Sequence, residues 1–221
     1  IRAGRSALVA GAVVLGLTTA AVLLAWPDAS PLEPRNGGHP DGDSTYAWIF
    51  LALLAAAFAA YVAGVVLARA SPPRLVAVWA IACAIQLVPL AAPLLLSTDA
   101  WTYWDFGRIA TVHDANPYRS TPGDYPEDPA FPYVGTAWHD TTTVYGPAFT
   151  LASEPLARAA GTSADAAAWI YKSIAAVAVL ASAALASRLS RRRALALLFV
   201  GWNPLLAVHF GGGGHNDAWV A

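Results

Sequence analysis

Long runs without a single charge constrain this chain more than any other feature. Ser6 to Trp26, Ala47 to Ala68 and Leu75 to Thr98 contain no Asp, Glu, Lys or Arg. Ala166 to Ser187 holds one, Lys172, and Ala194 to Phe210 is broken only by Asn203-Pro204. Roughly 20 apolar residues are needed to carry a helix across about 30 Å of hydrocarbon, so each run reads as a membrane span. Water-soluble domains carry about 25% charged residues; this chain carries 12%, with 57% hydrophobic residues. The expected fold is all-α: a polytopic helical membrane protein with about five spans. A signal peptide is the competing reading of the first run, because Arg2 and Arg5 precede it. Its length and the spans that follow favour a true span.

The arginines orient these spans. Arg2 and Arg5 precede the first, Arg69 and Arg74 flank the link between the second and third, and Arg188 with Arg191, Arg192 and Arg193 lies between the last two. Placing all three groups in the cytoplasm satisfies the positive-inside rule. Pro27 to Tyr46 and Asp99 to Asp165 then lie outside. Tyr145 to Ala160 is apolar enough to suggest another span. However, it is short and carries Glu154, Pro155 and Arg158, and a crossing there would put Arg191–Arg193 outside. It reads as an interfacial helix. Three regions result: spans one to three over 1–96, an outer loop over 97–165, and the last two spans with the start of a further outer loop over 166–221. The sequence begins without Met and stops in an apolar stretch, so it reads as a fragment or as a product trimmed at both ends. A net charge of -1 argues against a nucleic-acid partner, which favours a strongly basic domain. The single cysteine, Cys83, reads as a small core residue.

Every chemistry-bearing group then falls on one side. Asp99 begins the outer loop, and partial desolvation there would raise its pKa and strengthen it as a base; the bland alternative is a helix cap. Asp105 and Arg108, three apart, would share a helix face. Asn116-Pro117-Tyr118 reads as a turn with an interfacial tyrosine, and Trp138-His139-Asp140 with Tyr145-Gly146-Pro147 as a second structural turn. Four glycines, Gly211 to Gly214, lead into His215-Asn216-Asp217, either as a flexible exit or as backbone able to approach a ligand closely. His215 and Asp217 alone do not make a metal signature, and no metal is expected. Lys172 either snorkels to the interface or faces the bundle and meets a phosphate.

The ordered set Ser97-Thr98-Asp99, Tyr103, Gly107-Arg108, Asn116-Pro117-Tyr118, Tyr145-Gly146-Pro147, Lys172, Trp202-Asn203-Pro204 and Gly214-His215-Asn216-Asp217 resembles the membrane-embedded GT-C glycosyltransferases. Among these it is most similar to the polyprenol-phosphate-mannose-dependent α-1,6-mannosyltransferases. The resemblance implies an inverting sugar transfer from a polyprenyl-phosphate donor to a glycan or lipid-linked glycan of the bacterial cell envelope, at the non-cytoplasmic face of the plasma membrane. It implies no cofactor beyond that lipid-linked donor. By position Asp99 corresponds to the catalytic base, with Asp105 assisting. Arg108, Lys172 and His215 would steady the departing phosphate. Trp101, Trp104, Tyr118 and Trp138 would line the acceptor groove, with Tyr103, Asn116, Tyr145, Asn216 and Asp217 also binding substrate. Three other classes fit the residues less well. A transporter would place ionisable groups near the midplane. A scaffold would leave the polar clusters idle, and a hydrolase would need a metal.

Overall fold

The computed structural model of the protein describes residues 2–34, 38–39 and 41–219. Among them every regular element is helical: α1 (Arg2–Leu23), α2 (Ser44–Ala70), α3 (Leu75–Leu87, continued by a 3-10 turn to Ala91), α4 (Asp99–Thr111), α5 (Pro147–Ala160), α6 (Ala164–Leu189), α7 (Arg193–Gly201) and α8 (Pro204–Gly212). α1, α2 and α6 are long and apolar enough to cross a membrane, and α7 with α8 passes as one span bent by 43°. The chain is an all-helical, polytopic membrane protein. One expected span is shortened. Helix continues only over Leu75–Ala91 of the run to Thr98, because Pro89 and Pro93 cannot donate to a helical ladder. At 1.5 Å per residue this piece reaches about 26 Å, short of the ~30 Å core. α5, with 14 residues, is likewise too short to cross, as its charges suggested.

Polar side chains occupy the points where the helices break. Asn203 begins α8 and accepts from the N–H groups of Leu205 (3.0 Å) and Leu206 (3.4 Å). Gln86, fully buried on α3, donates to the carbonyls of Gly201 (3.0 Å) and Asn203 (3.3 Å) that the break leaves open. The Trp202 indole donates to Val78 O at 3.0 Å, and Tyr61 OH to Phe199 O at 2.7 Å. Trp202 packs over Gly11 of α1, where an added Cβ would lie 2.6 Å from the ring. The core between these helices is otherwise apolar: Val14, Val65, Val78, Ile85, Leu197 and Leu198 are buried around Trp202.

The glycine run is a packing device. Gly211 lies against Gln86 O, with a Cβ contact of 2.9 Å, and Gly212 lies against the Leu95 side chain at 2.6 Å. Gly212 O accepts from Leu95 N at 3.0 Å. Gly211 and Gly212 therefore let α8 touch the broken end of α3. The last six residues of α8, Ala207–Gly212, are π-helical.

Gln86→Leu removes the donors to Gly201 O and Asn203 O in a region without water. The expected cost is about 1–3 kcal/mol, tempered because Gln86 Oε1 itself has no partner among the described residues. Thermal unfolding of the detergent-solubilised protein reads this as a lower midpoint; an unchanged midpoint would show that the kink is held by packing alone.

Candidate functional site

The end of the bundle opposite Arg69, Arg74 and Arg188 carries a polar cluster built from two segments distant in sequence. α4 supplies Asp99 and, one turn on, Tyr103. The turn after α8 supplies His215 and Asn216. Thr98 occupies the cap position of α4 without a side-chain bond, and Asp99 is the first helical residue, so a helix does start here and its cap position falls to Thr98 rather than to Asp99. Its backbone N–H donates to Ser97 Oγ at 3.1 Å. Its carboxylate oxygen Oδ2 lies 2.9 Å from His215 Nδ1, the side chains being 25% and 15% exposed. The same oxygen is 3.3 Å from Tyr103 OH, which also lies 3.2 Å from Asn216 Oδ1.

Burial alone raises the Asp99 pKa. The hydrogen bond and charge of His215, with bonds from Ser97 and Tyr103, outweigh it and hold Asp99 below the ordinary 3.8. The sequence expectation of a raised Asp99 pKa is thus corrected: a negative carboxylate at a helix N-terminus with three partners stays ionised. The Tyr103 phenol moves up, first through burial and then through the Asp99 charge. Tyr145 is pushed up to about 12 by burial, then by Asp99, with Asp217 adding in the same direction. The Tyr103 ring meets Tyr145, Phe149 and Tyr171 edge-on at 5.0, 4.9 and 5.5 Å. This packing fixes the phenol beneath Asp99.

His209, which the sequence reading passed over, joins the cluster. Its ring stacks on His215 at 4.0 Å, the planes 14° apart. One donor atom each from His209, His215 and Asp217 lies within 4.8 Å of the others, so the three can converge on a divalent ion. Spacing gave no hint of this, because the π-helical turn and Gly214 (φ 71°) between the histidines break any regular period.

Other expected site residues go elsewhere. Arg108 donates from Nε and Nη2 to the two Asp128 oxygens at 2.7 and 3.0 Å, and from Nη1 to Gly161 O at 2.6 Å. With all three nitrogens engaged and the side chain buried, it clamps the loop and is not brought to Asp99. His113 approaches the same Asp128 at 2.7 Å and stacks on Tyr125 at 4.0 Å. Asp105 is buried, its Oδ2 lacking a partner among the described residues. Burial, then the Asp128 charge, pushes its pKa up to about 7, against the pull of Arg108. It is a buried group that takes up its proton near neutrality, and no contact joins it to Asp99 among the described residues. Lys172 neither snorkels nor reaches Asp99: its buried Nζ donates to the carbonyls of Ala92 (2.6 Å) and Pro93 (3.1 Å) where α3 ends.

Lys172 and Trp101 do line a cavity of about 400 Å3, with Trp26, Asp28, Asp165 and Trp169. The Trp101 indole donates to Ala164 O at 3.0 Å, tying α4 to the start of α6. Trp104 is fully buried in the loop core and lines no groove. Trp138 sits in a separate 3-10 turn, Thr136–Trp138. Asn116 forms the expected turn, its Oδ1 accepting from Tyr118 N at 2.9 Å. Tyr118 donates to Tyr145 O at 2.8 Å, and Asn116 and Tyr118 border another groove of about 450 Å3 beside α5.

Fold and cluster together define a polytopic membrane protein with an ionised carboxylate, an imidazole and a phenol poised at one end of its bundle. The chain belongs to the family of alpha-(1->6)-mannopyranosyltransferases, whose N-terminal domain matches residues 2–221. It is therefore a glycosyltransferase chain of the mannosyltransferase type, as the ordered motifs implied. No similar curated protein or solved structure was found.

The Asp105 carboxyl gives a pH test of this geometry. Its folded pKa of about 7 stands above the ordinary 3.8 of an aspartate, so the folded state binds the extra proton between those values. Its contribution favours folding at low pH and is lost as pH rises from about 4 through about 7. Asp105→Asn, which cannot ionise, should raise the unfolding midpoint relative to the native protein at pH 8 and change it little at pH 4. Equal effects at both pH values would mean Asp105 is ionised in the folded protein throughout.

Proposed function

We propose that the chain forms the catalytic-loop part of a bacterial plasma-membrane mannosyltransferase that moves mannose from a polyprenyl-phosphate donor to a cell-envelope glycan or glycolipid, with inversion. Its arginine-rich end faces the cytoplasm and the Asp99 cluster faces outward. The observation that carries this reading is Asp99: an ionised, partly exposed carboxylate at the start of α4, held by His215 and Tyr103 in a chain of a mannosyltransferase family. Asp99 takes the proton of an acceptor hydroxyl. The freed oxygen attacks the anomeric carbon from the face opposite the phosphate, and the bond from that carbon to the phosphate oxygen breaks. The electron pair leaves with the polyprenyl phosphate. Fixed donors near that phosphate lower the barrier as its charge develops. His215 stands beside the base, and Lys172 keeps one of its three N–H donors after binding two carbonyls. Trp101 and Trp169 offer indole surface beside the same lysine for a sugar ring. The reaction draws on no cofactor beyond the donor itself.

The 2.9 Å contact of Asp99 with His215 favours one second reading, in which His215 takes the proton and Asp99 orients it. Sugar transfer by membranes bearing the full chain, supplied with labelled polyprenyl-phosphate mannose and a short mannan acceptor, separates the two. With Asp99 as base, Asp99→Asn should lower the rate by about 10²–10⁴-fold. The native rate should then stay level down to about pH 4 and fall only below it, since its lowered pKa keeps the base ionised above that value. An acid limb lying well above pH 4, with His215→Gln as damaging as Asp99→Asn, would move the base to His215. Absence of transfer from any polyprenyl-phosphate sugar would overturn the donor assignment.

The His209, His215 and Asp217 donors supply a separate check. Activity unchanged by a chelator is expected for the metal-free transfer proposed here. Loss on chelation, restored by one divalent ion and absent from His209→Gln, would assign that cluster a metal and correct the mechanism.

A further inference from the structure

The opposite end of the bundle carries a second concave surface that the transfer reaction does not use. Arg69 at the end of α2, and Arg191, Arg192 and Arg193 at the entrance to α7, line a pocket of about 350 Å3 with Pro72, Ala194 and Leu195. A second pocket of about 370 Å3 adjoins it and shares Arg69, Arg191, Arg192 and Leu195. Beyond them it is walled by Val65, Ala186, Ala196, Phe199 and Val200. Neither lining includes a carboxylate, and the four guanidiniums make no hydrogen bond or ion pair among the described residues. Val65 and Arg69 follow one another at i, i+4 on α2, and Ala186 and Ser190 do so on α6. The apolar groove therefore runs along the helices, with the arginines at its mouth. Phe199, one of the groove residues, accepts at its carbonyl from Tyr61 OH at 2.7 Å.

We propose that this surface is a binding site for an anionic phospholipid. The phosphate-bearing headgroup sits among Arg69, Arg191, Arg192 and Arg193, and one acyl chain lies in the groove between α2, α6 and α7. Charge complementarity selects the occupant. Four unpaired guanidiniums around one cavity suit phosphate oxygens, which they can contact in bidentate fashion, and basic pockets between spans are where such headgroups bind. The first turn of α7, which includes Arg193 to Leu195, adds unpaired backbone N–H groups at the same mouth. A soluble anion would use the arginines but have no use for the groove. A zwitterionic lipid would fill the groove but leave four like charges together at the pocket. The shared residues make the two concavities one amphipathic site.

The test is lipid binding to the full detergent-solubilised chain, measured by displacement of a fluorescent phosphatidylglycerol probe. Cardiolipin and phosphatidylglycerol should displace the probe well, and phosphatidylcholine at least tenfold less effectively. Arg191→Gln with Arg192→Gln should weaken probe binding by roughly 25-fold, about fivefold for each lost charge. Ala196→Phe, which fills the groove and leaves every charge, should also weaken it. Equal displacement by phosphatidylcholine, or unaltered binding in the double arginine variant, would overturn the site. Displacement by millimolar inorganic phosphate, or full binding by Ala196→Phe, would show that a free anion rather than a lipid is the occupant. The native lipid series decides the question even if a variant fails to insert.

Discussion

Backbone carbonyls that cannot reach water govern this structure. A continuous helix satisfies its own carbonyls, but a broken one inside hydrocarbon leaves them open, at several kcal/mol each. The chain breaks twice, at Pro89–Pro93 and at Trp202–Pro204, and it spends its scarce buried polar side chains there. Gln86 answers the carbonyls of Gly201 and Asn203, and Lys172 answers those of Ala92 and Pro93. The two breaks are linked, because Gln86 sits on the helix that ends at the first break while serving the second. The outcome is that the end of α3, the bend in α7–α8 and the start of α6 converge on one place. From that place the chain launches both α4 and the turn bearing His215.

Asp99 and Asp105 show how far environment separates two identical side chains six residues apart on one helix. Asp99, at the first position of α4, meets an imidazole, a hydroxyl and a phenol and stays ionised. Asp105, one and a half turns on, faces the interior beside the charged Asp128 and is driven towards its neutral form. The two carboxylates are thus not a catalytic pair. Arg108 fastens the loop beside them: its bidentate grip on Asp128 and its bond to Gly161 O engage every guanidinium nitrogen at least once. A buried ion pair of this kind is an uncertain source of net stability, yet with the Gly161 bond it sets how the loop folds over α4. There Gly107 lets α5 approach so closely that a Cβ would lie 2.6 Å from Ser153 O.

How much of this was legible in the sequence depended on the range of the interaction. Charge-free runs and arginine clusters are local signals, and they identified the long spans and the shared end of the arginines. In the third run the helix stops at Ala91, because Pro89 and Pro93 end the ladder before the apolar residues do. The glycine run was legible only in part. Composition says that glycine permits close approach, but not that the approaching groups are Leu95 and the Gln86 carbonyl. Asp99, Tyr103, Tyr145, His215 and Asn216 were all named from the ordered motifs, and the structure gathers them. His209 was missed because its place beside His215 depends on a π-helical turn that no periodicity announces. Arg108 and Lys172 looked available because nothing local revealed Asp128, twenty residues on, or the orphan carbonyls of another helix.

The position of His215 shows why the cluster and the bundle cannot be considered apart. Gly214, immediately before it, has φ of 71°, and a Cβ there would meet the Ala100 side chain at 3.1 Å and the Lys172 backbone nitrogen at 3.4 Å. Only glycine combines that conformation with that space. The turn is pressed between the first residues of α4 and the same lysine that seals the end of α3. A shift in the broken end of α3 would move Lys172 and with it the surface on which Gly214 rests, and His215 would be carried away from Asp99. The hydrogen bond from His215 that helps lower the Asp99 pKa therefore depends on carbonyl groups satisfied inside the membrane bundle, so polar satisfaction there bears on the acidity of a carboxylate at its edge.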